Sequence, residues 1–143
     1  MNELIKRQRA AQACIDAFLH RPLKFGVHDC VRLAAFNCRK LGIAVPDLKG
    51  LKYRTEAGAV KALKAQGYAD LIEAVDAMGF ARIAPATRWP ADIVALPPAE
   101  GTPWGASLMI AGTNGRLIGL SNGVFHVVEP AQFVCAWRVP AEG

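Results

Sequence analysis

The hydrophobic period of the chain changes at Asp92. Before that point apolar residues recur every three or four positions, the spacing of one helical face. After it they come in short runs: Ile93 to Leu96, Ala106 to Ala111, Leu117 to Leu120, Val124 to Val128 and Phe133 to Val139. Between the runs lie Pro97-Pro98 with Gly101, Thr113-Asn114-Gly115, Asn122-Gly123 and Glu129-Pro130. The Asn-Gly pairs are strong hairpin signals, because both residues tolerate the positive φ that tight turns require. A helical first half followed by an antiparallel meander of five short strands predicts an α+β domain. The stretch Phe80 to Pro90 reads as irregular, with Pro85 and Pro90 blocking any long element.

The first half divides at its breakers. Asn2 or Glu3 through His20 predicts an amphipathic helix, with Leu4, Ala11, Cys14, Ile15 and Phe18 on one side and Lys6, Arg7 and Arg9 mainly on the other. Pro22 ends it, and Leu23 to Val27 leads to a second helix that starts at Cys30 and stops before Gly42, with His28 or Asp29 as its cap. That helix exposes little beyond Arg32, Asn37, Arg39 and Lys40, which predicts a central position. Ile43 to Arg54 is a loop punctuated by Pro46 and Gly50. Thr55 caps a third helix running to about Gln66, and Asp70 with Glu73 forms a capping box for a fourth, ended by Gly79. The 143 residues therefore predict one domain: a leading helix over 1–21, a helical half over 23–79 and a sheet over 92–139.

Composition narrows the function classes. With 52% hydrophobic and 20% charged residues the chain is globular, and no run reaches the length of a membrane-spanning helix. Met1 to Ala10 is too charged to lead a signal peptide, so a soluble, unexported protein is expected. Cysteines at 14, 30, 38 and 135 include no CxxC pair and no zinc-ligand spacing. Free thiols are expected, with no disulfide framework, no metal and no cofactor. The net charge of +5 favours acidic partners, but the basic residues are dispersed and carry no nucleic-acid-binding motif. Specific nucleic-acid binding is not expected.

Chemistry centres on Cys30. At the first helical position, unpaired backbone amides and the helix dipole favour a thiolate, which is where a nucleophilic cysteine is best placed. A cysteine in an apolar helix is equally a small core residue. A nucleophile needs a proton acceptor, and the chain holds only His20, His28 and His126. His28 lies two residues before Cys30. His126 sits mid-strand on the face opposite Phe125 and Val127, and serves as a base only if that face meets the Cys30 helix. Asp29 is a cap or an orienting carboxylate. The candidate site is Cys30, His28, His126 and Asp29.

The segment FGVHDC opening a helix, the run Tyr53-Arg-Thr-Glu-Ala-Gly-Ala, the proline-bounded Ala91-Asp92-Ile93-Val94 and the closing Ala136-Trp137-Arg138-Val139 together resemble small phage tail-associated proteins. These are distant relatives of the NlpC/P60 papain-like cysteine peptidases. The resemblance implies that Asp29 and Cys30 match the family's aspartate and nucleophile, and that Ala91-Asp92 stands where the family has Gly-Asp. By strand order, the family's histidine and third polar residue fall around Gly105 or Ala106 and Ile118 or Gly119, none of which can transfer a proton. It therefore implies a structural component of a phage tail tip or baseplate, made in the host cytoplasm and carried in the virion tail, with other tail proteins as partners. The alternative is an active cysteine peptidase or amidase acting on peptidoglycan or a tail protein.

Overall fold

Asn2 opens the first helix, α1 (Glu3–Phe18), by accepting the amide hydrogens of Leu4 and Ile5. The computed structural model describes residues 2–45, 52–98 and 103–141, and the expected breakers at Pro46, Gly50 and Gly101 lie outside them. α1 ends two residues before the expected His20. There the chain takes φ 67°, which leaves the helical path ahead of Pro22. Residues 20–23 then run along the last hairpin: His20 N–H donates to Phe125 O (2.9 Å), Leu23 N–H to Gly123 O (2.8 Å), and Phe125 N–H to Arg21 O (3.0 Å).

Three further helices follow, each begun by a side-chain cap that sequence predicts. Asp29 accepts from Arg32 N–H at 2.8 Å to start α2 (Cys30–Lys40), and Thr55 accepts from Gly58 N–H at 3.0 Å to start α3 (Glu56–Ala65). Asp70 accepts from Glu73 N–H at 2.8 Å to start α4 (Leu71–Asp76). The Glu73 carboxylate reaches back to the amide of Ala69 at 3.4 Å, one residue earlier than the capping box predicts.

The sheet is antiparallel throughout and has six strands in the order β1-β6-β2-β3-β4-β5. They are β1 (Ala81–Ile83), β2 (Ile93–Leu96), β3 (Ser107–Ala111), β4 (Leu117–Ser121), β5 (Val124–Val128) and β6 (Cys135–Arg138). This corrects the expectation of five strands and of an irregular 80–90 segment. Three residues are too few to show an alternating pattern, and β1 exists through its pairing with β6, from Ala81↔Arg138 to Ile83↔Ala136. Pro85 then starts a single 3-10 turn (Pro85–Thr87).

Alternation divides the sheet's side chains between two cores. Ile93, Ile110, Ile118, Phe125 and Trp137 face the helices and pack with Cys14, Phe18, Cys30 and Leu33. Val94, Met109, Ala111, Leu117 and Ala136 form a smaller cluster on the opposite face.

Arg7 departs from the helical pattern. It was expected on the solvent side of α1, but is 1% exposed. Its Nη1 donates to Asp92 Oδ1 (3.0 Å) and Pro90 O (3.1 Å), its Nη2 to Val139 O, and its Nε to Glu3 Oε1 (3.1 Å). Asp92, fully buried, also accepts from Val139 N–H (3.1 Å), Trp89 N–H (2.8 Å) and Arg138 Nε (2.8 Å). The carboxylate ties α1, the start of β2 and the end of β6 together.

A second carboxylate ties α4 to β1 and β6. Asp76 accepts from Arg82 Nε and Nη2 and from the Trp137 indole N–H, each at 2.8 Å. The Arg82 and Trp137 hydrogen bonds hold its carboxyl at about 2, below the ordinary 3.8. Because the folded value is the lower one, this stabilisation is complete above pH 3.8 and is lost as pH falls from 3.8 towards 2. Urea midpoints measured at pH 5, 3.5 and 2.5 should therefore fall less in Asp76→Asn than in the native protein. Parallel curves would show that the Arg82 and Trp137 contacts contribute nothing.

Candidate functional site

The approach to α2 is a tight reversal. Lys24 N–H donates to His28 O (2.9 Å) and His28 N–H to Lys24 O (2.8 Å), with Gly26 at φ 82° between them. A Cβ on Gly26 would collide with the Tyr53 carbonyl, so the turn needs glycine both for its conformation and for its closeness to that strand of chain. The reversal aims the Gly26 amide at Asp29.

Asp29 is 0% exposed, and its carboxylate is fully engaged. Oδ1 accepts from Arg32 N–H (2.8 Å), and Oδ2 accepts from Gly26 N–H (2.8 Å) and the Tyr53 hydroxyl (2.8 Å). These donors satisfy a buried charge that would otherwise be costly. In return, burial and the adjacent carboxylate raise the Tyr53 phenol above its usual range. Asp29 thus caps α2 and anchors Tyr53, and it orients no imidazole.

Cys30 is also 0% exposed. Burial pushes its thiol up to about 12, outweighing hydrogen bonding from the Leu108 backbone; the Asp29 charge adds to the rise, and the Cys30 and Val31 backbone oppose it. Desolvation therefore wins over the helix-start effect that sequence alone suggests. Tyr53, Phe25 and Trp104 pack edge to face at this end of the helix, with centroids 5.9 to 6.5 Å apart. The Trp104 indole is fixed by donation to Ala59 O (3.1 Å). Sequence gives Tyr53 no role at Asp29, since no short-range spacing joins residues so far apart along the chain.

Neither histidine completes a dyad. His28 lies edge-on to Phe18 at 5.5 Å, and burial, then Arg21 and Lys24, make it less basic than an ordinary histidine, against the opposing charge of Asp29. Phe125 packs on Phe18 at 5.2 Å, which makes its face the helical one and puts His126 on the other side of the sheet. The condition for His126 to act as base is not met, and its ring instead meets His20 at 6.4 Å. Ala106 and Ile118, at two of the positions matched to the peptidase pattern, are buried in the helix-side core. Ala91 holds φ 70°, a conformation that favours glycine.

An apolar cleft of about 470 Å³ lies between α2, α3 and α4 and shares Tyr53 and Trp104 with the Cys30 end of α2, with Val31, Ala34, Leu63 and Leu71 among its other walls. No carboxylate or imidazole is among its described lining residues. It offers apolar contact rather than acid–base chemistry.

A family model described as Domain of unknown function (DUF6950) matches residues 3–139. The chain belongs to that family. The DUF6950 match runs from the first residue of α1 to just past β6, so both halves of the α+β fold and the Arg7–Asp92 tie lie inside it. No curated protein and no solved structure matches the chain. Among the described residues of this DUF6950 domain, no helix is long and apolar enough to cross a membrane, and no three His, Cys, Asp or Glu side chains converge as a metal-holding group.

Proposed function

We propose that this DUF6950 domain is a degenerate relative of the NlpC/P60 papain-like peptidases and serves as a structural component of a phage tail tip or baseplate, docked against other tail proteins. The observation that carries this reading is Cys30 itself. It starts the central helix behind an aspartate, as the peptidase nucleophile does, yet it is sealed from solvent with no base beside it. Ala106 and Ile118 fill the helix-side core at positions matched to the proton-transferring residues, and a protein without that acid–base pair keeps little of the catalysis. Ala91, with the φ of a glycine ahead of Asp92, supports the kinship.

An active thiol hydrolase is the second reading. It draws on the backbone hydrogen bonding from Leu108, Cys30 and Val31 at the sulfur, which would steady a thiolate or an oxyanion. Complementation separates the two. A phage deleted for this chain should yield particles with incomplete tails, and Cys30→Ala should restore them fully. Intact tails in the deletion would overturn the structural reading. Failure of a folded Cys30→Ala variant would favour the hydrolase.

A further inference from the structure

The cleft between α2, α3 and α4 exists because α3 and α4 stand off from α2, whereas α1 packs along it. Each of the three helices turns alanine to the gap: Ala34 and Ala35 on α2, Ala59 and Ala62 on α3, and Ala74 on α4, with Ala77 just beyond it. Longer side chains there would fill the space that methyl groups leave open. Trp104 sets the spacing. Its indole N–H donates to Ala59 O (3.1 Å) on α3, its carbonyl accepts from Leu71 N–H (3.0 Å) at the start of α4, and its ring meets that of Tyr53 at 6.0 Å. Tyr53 is bonded in turn to Asp29, the cap of α2. The starts of all three helices are thus fixed around one pair of buried rings.

Size and chemistry indicate the occupant. The cleft, at about 470 Å³, is in the range of small-molecule sites. An α-helix about 10 Å across takes up roughly 420 Å³ for each turn, so a docked helix would place little more than one turn there. Along α2 the wall runs from Val31 to Cys38, about 10 Å, which suits an extended chain better than a compact ring. The described lining residues include no Asp, Glu, Lys, Arg or His, so a charged ligand would lose its hydration with nothing to replace it. The Tyr53 hydroxyl proton and the Trp104 N–H are already spent on Asp29 and Ala59. Cys38, 1% exposed, brings a thiol with no hydrogen-bond partner among the described residues, free for weak contact with a ligand.

We propose that the cleft between α2, α3 and α4 binds an uncharged molecule through its hydrocarbon chain, laid against the alanine walls with Ile93 of β2 and Leu108 of β3 at the floor. The site uses neither Cys30 nor a histidine, so it is independent of the tail reading.

The test titrates the full chain, carrying ¹³C-methyl methionine, with straight-chain alcohols from 1-hexanol to 1-dodecanol. Met78 lines the cleft and Met109 lies on the other face of the sheet, so the Met78 methyl signal should move and the Met109 signal should not. Affinity should rise roughly fourfold with each added methylene and level off once the chain outgrows the cleft. Octanoate should bind at least about tenfold more weakly than 1-octanol, because its carboxylate finds no partner. Ala62→Leu and Ala74→Leu each put a larger side chain into the cleft and should abolish the octanol shift, with a ligand-free melt showing that the variant is folded. A Met78 signal that stays still up to the solubility limit of 1-octanol overturns the site and leaves the cleft to a side chain of a docked protein. Equal movement of Met109, or affinity that climbs unchecked through 1-dodecanol, also overturns it, since both mean partition over the whole surface. So do octanoate binding as tight as that of octanol and a shift that survives in the folded leucine variants.

Discussion

Replacing Asp92 by alanine should destabilise the fold by about 3–5 kcal/mol, the usual cost of stripping one partner from a buried ion pair. For a chain of this size that corresponds to a fall of ~10–20 °C in Tm. The loss is large because Asp92 is not one contact. Its two oxygens accept from Arg7, Arg138, Val139 and Trp89, and removal strands a guanidinium that is itself 1% exposed. Adding Arg7→Met to Asp92→Ala should recover part of the loss, since an apolar side chain of similar length needs no counter-charge. A single variant that melts within a degree or two of the native protein would show that the ends of the chain are held by packing alone.

The second large effect is on thiol chemistry. With its thiol pushed up to about 12 from an ordinary 9.0, folded Cys30 at pH 8 should have roughly a thousandfold less thiolate than a free cysteine. Iodoacetamide labelling followed by peptide mass analysis should modify Cys135, 8% exposed, before Cys14 or Cys30, both 0% exposed. In denaturant all four should react alike. Labelling of Cys30 first, in native protein near pH 6, would reveal an activated thiolate and return the hydrolase to first place.

What sequence could announce was local. Asp29, Thr55 and Asp70 cap the helices they precede. The Asn122-Gly123 pair turns a hairpin with φ 52° and 79°, as its residue types demand. What it could not announce depends on distant partners. Counting helical positions puts Arg7 in solvent, whereas a carboxylate 85 residues along the chain, with the Pro90 and Val139 carbonyls, makes its burial tolerable. β1 is a strand because β6 is there to pair with it. Alternation separates His126 from Phe125, but cannot say which face the helices cover. That choice is made by Phe18 packing on Phe125, and it decides that His126 cannot serve Cys30.

Residues 20–23, laid along β5, have a consequence for how copies of this chain coexist. A sheet grows by adding main chain to an open border, and an unguarded border is where identical molecules fuse into fibrils. Here the first part of one border, Gly123 to Phe125, is already occupied by the protein's own backbone, through His20, Arg21 and Leu23. The other is β1, three residues long, with Arg82 upon it. A molecule bordered in this way can be packed at high local concentration beside its own copies with little risk of polymerising.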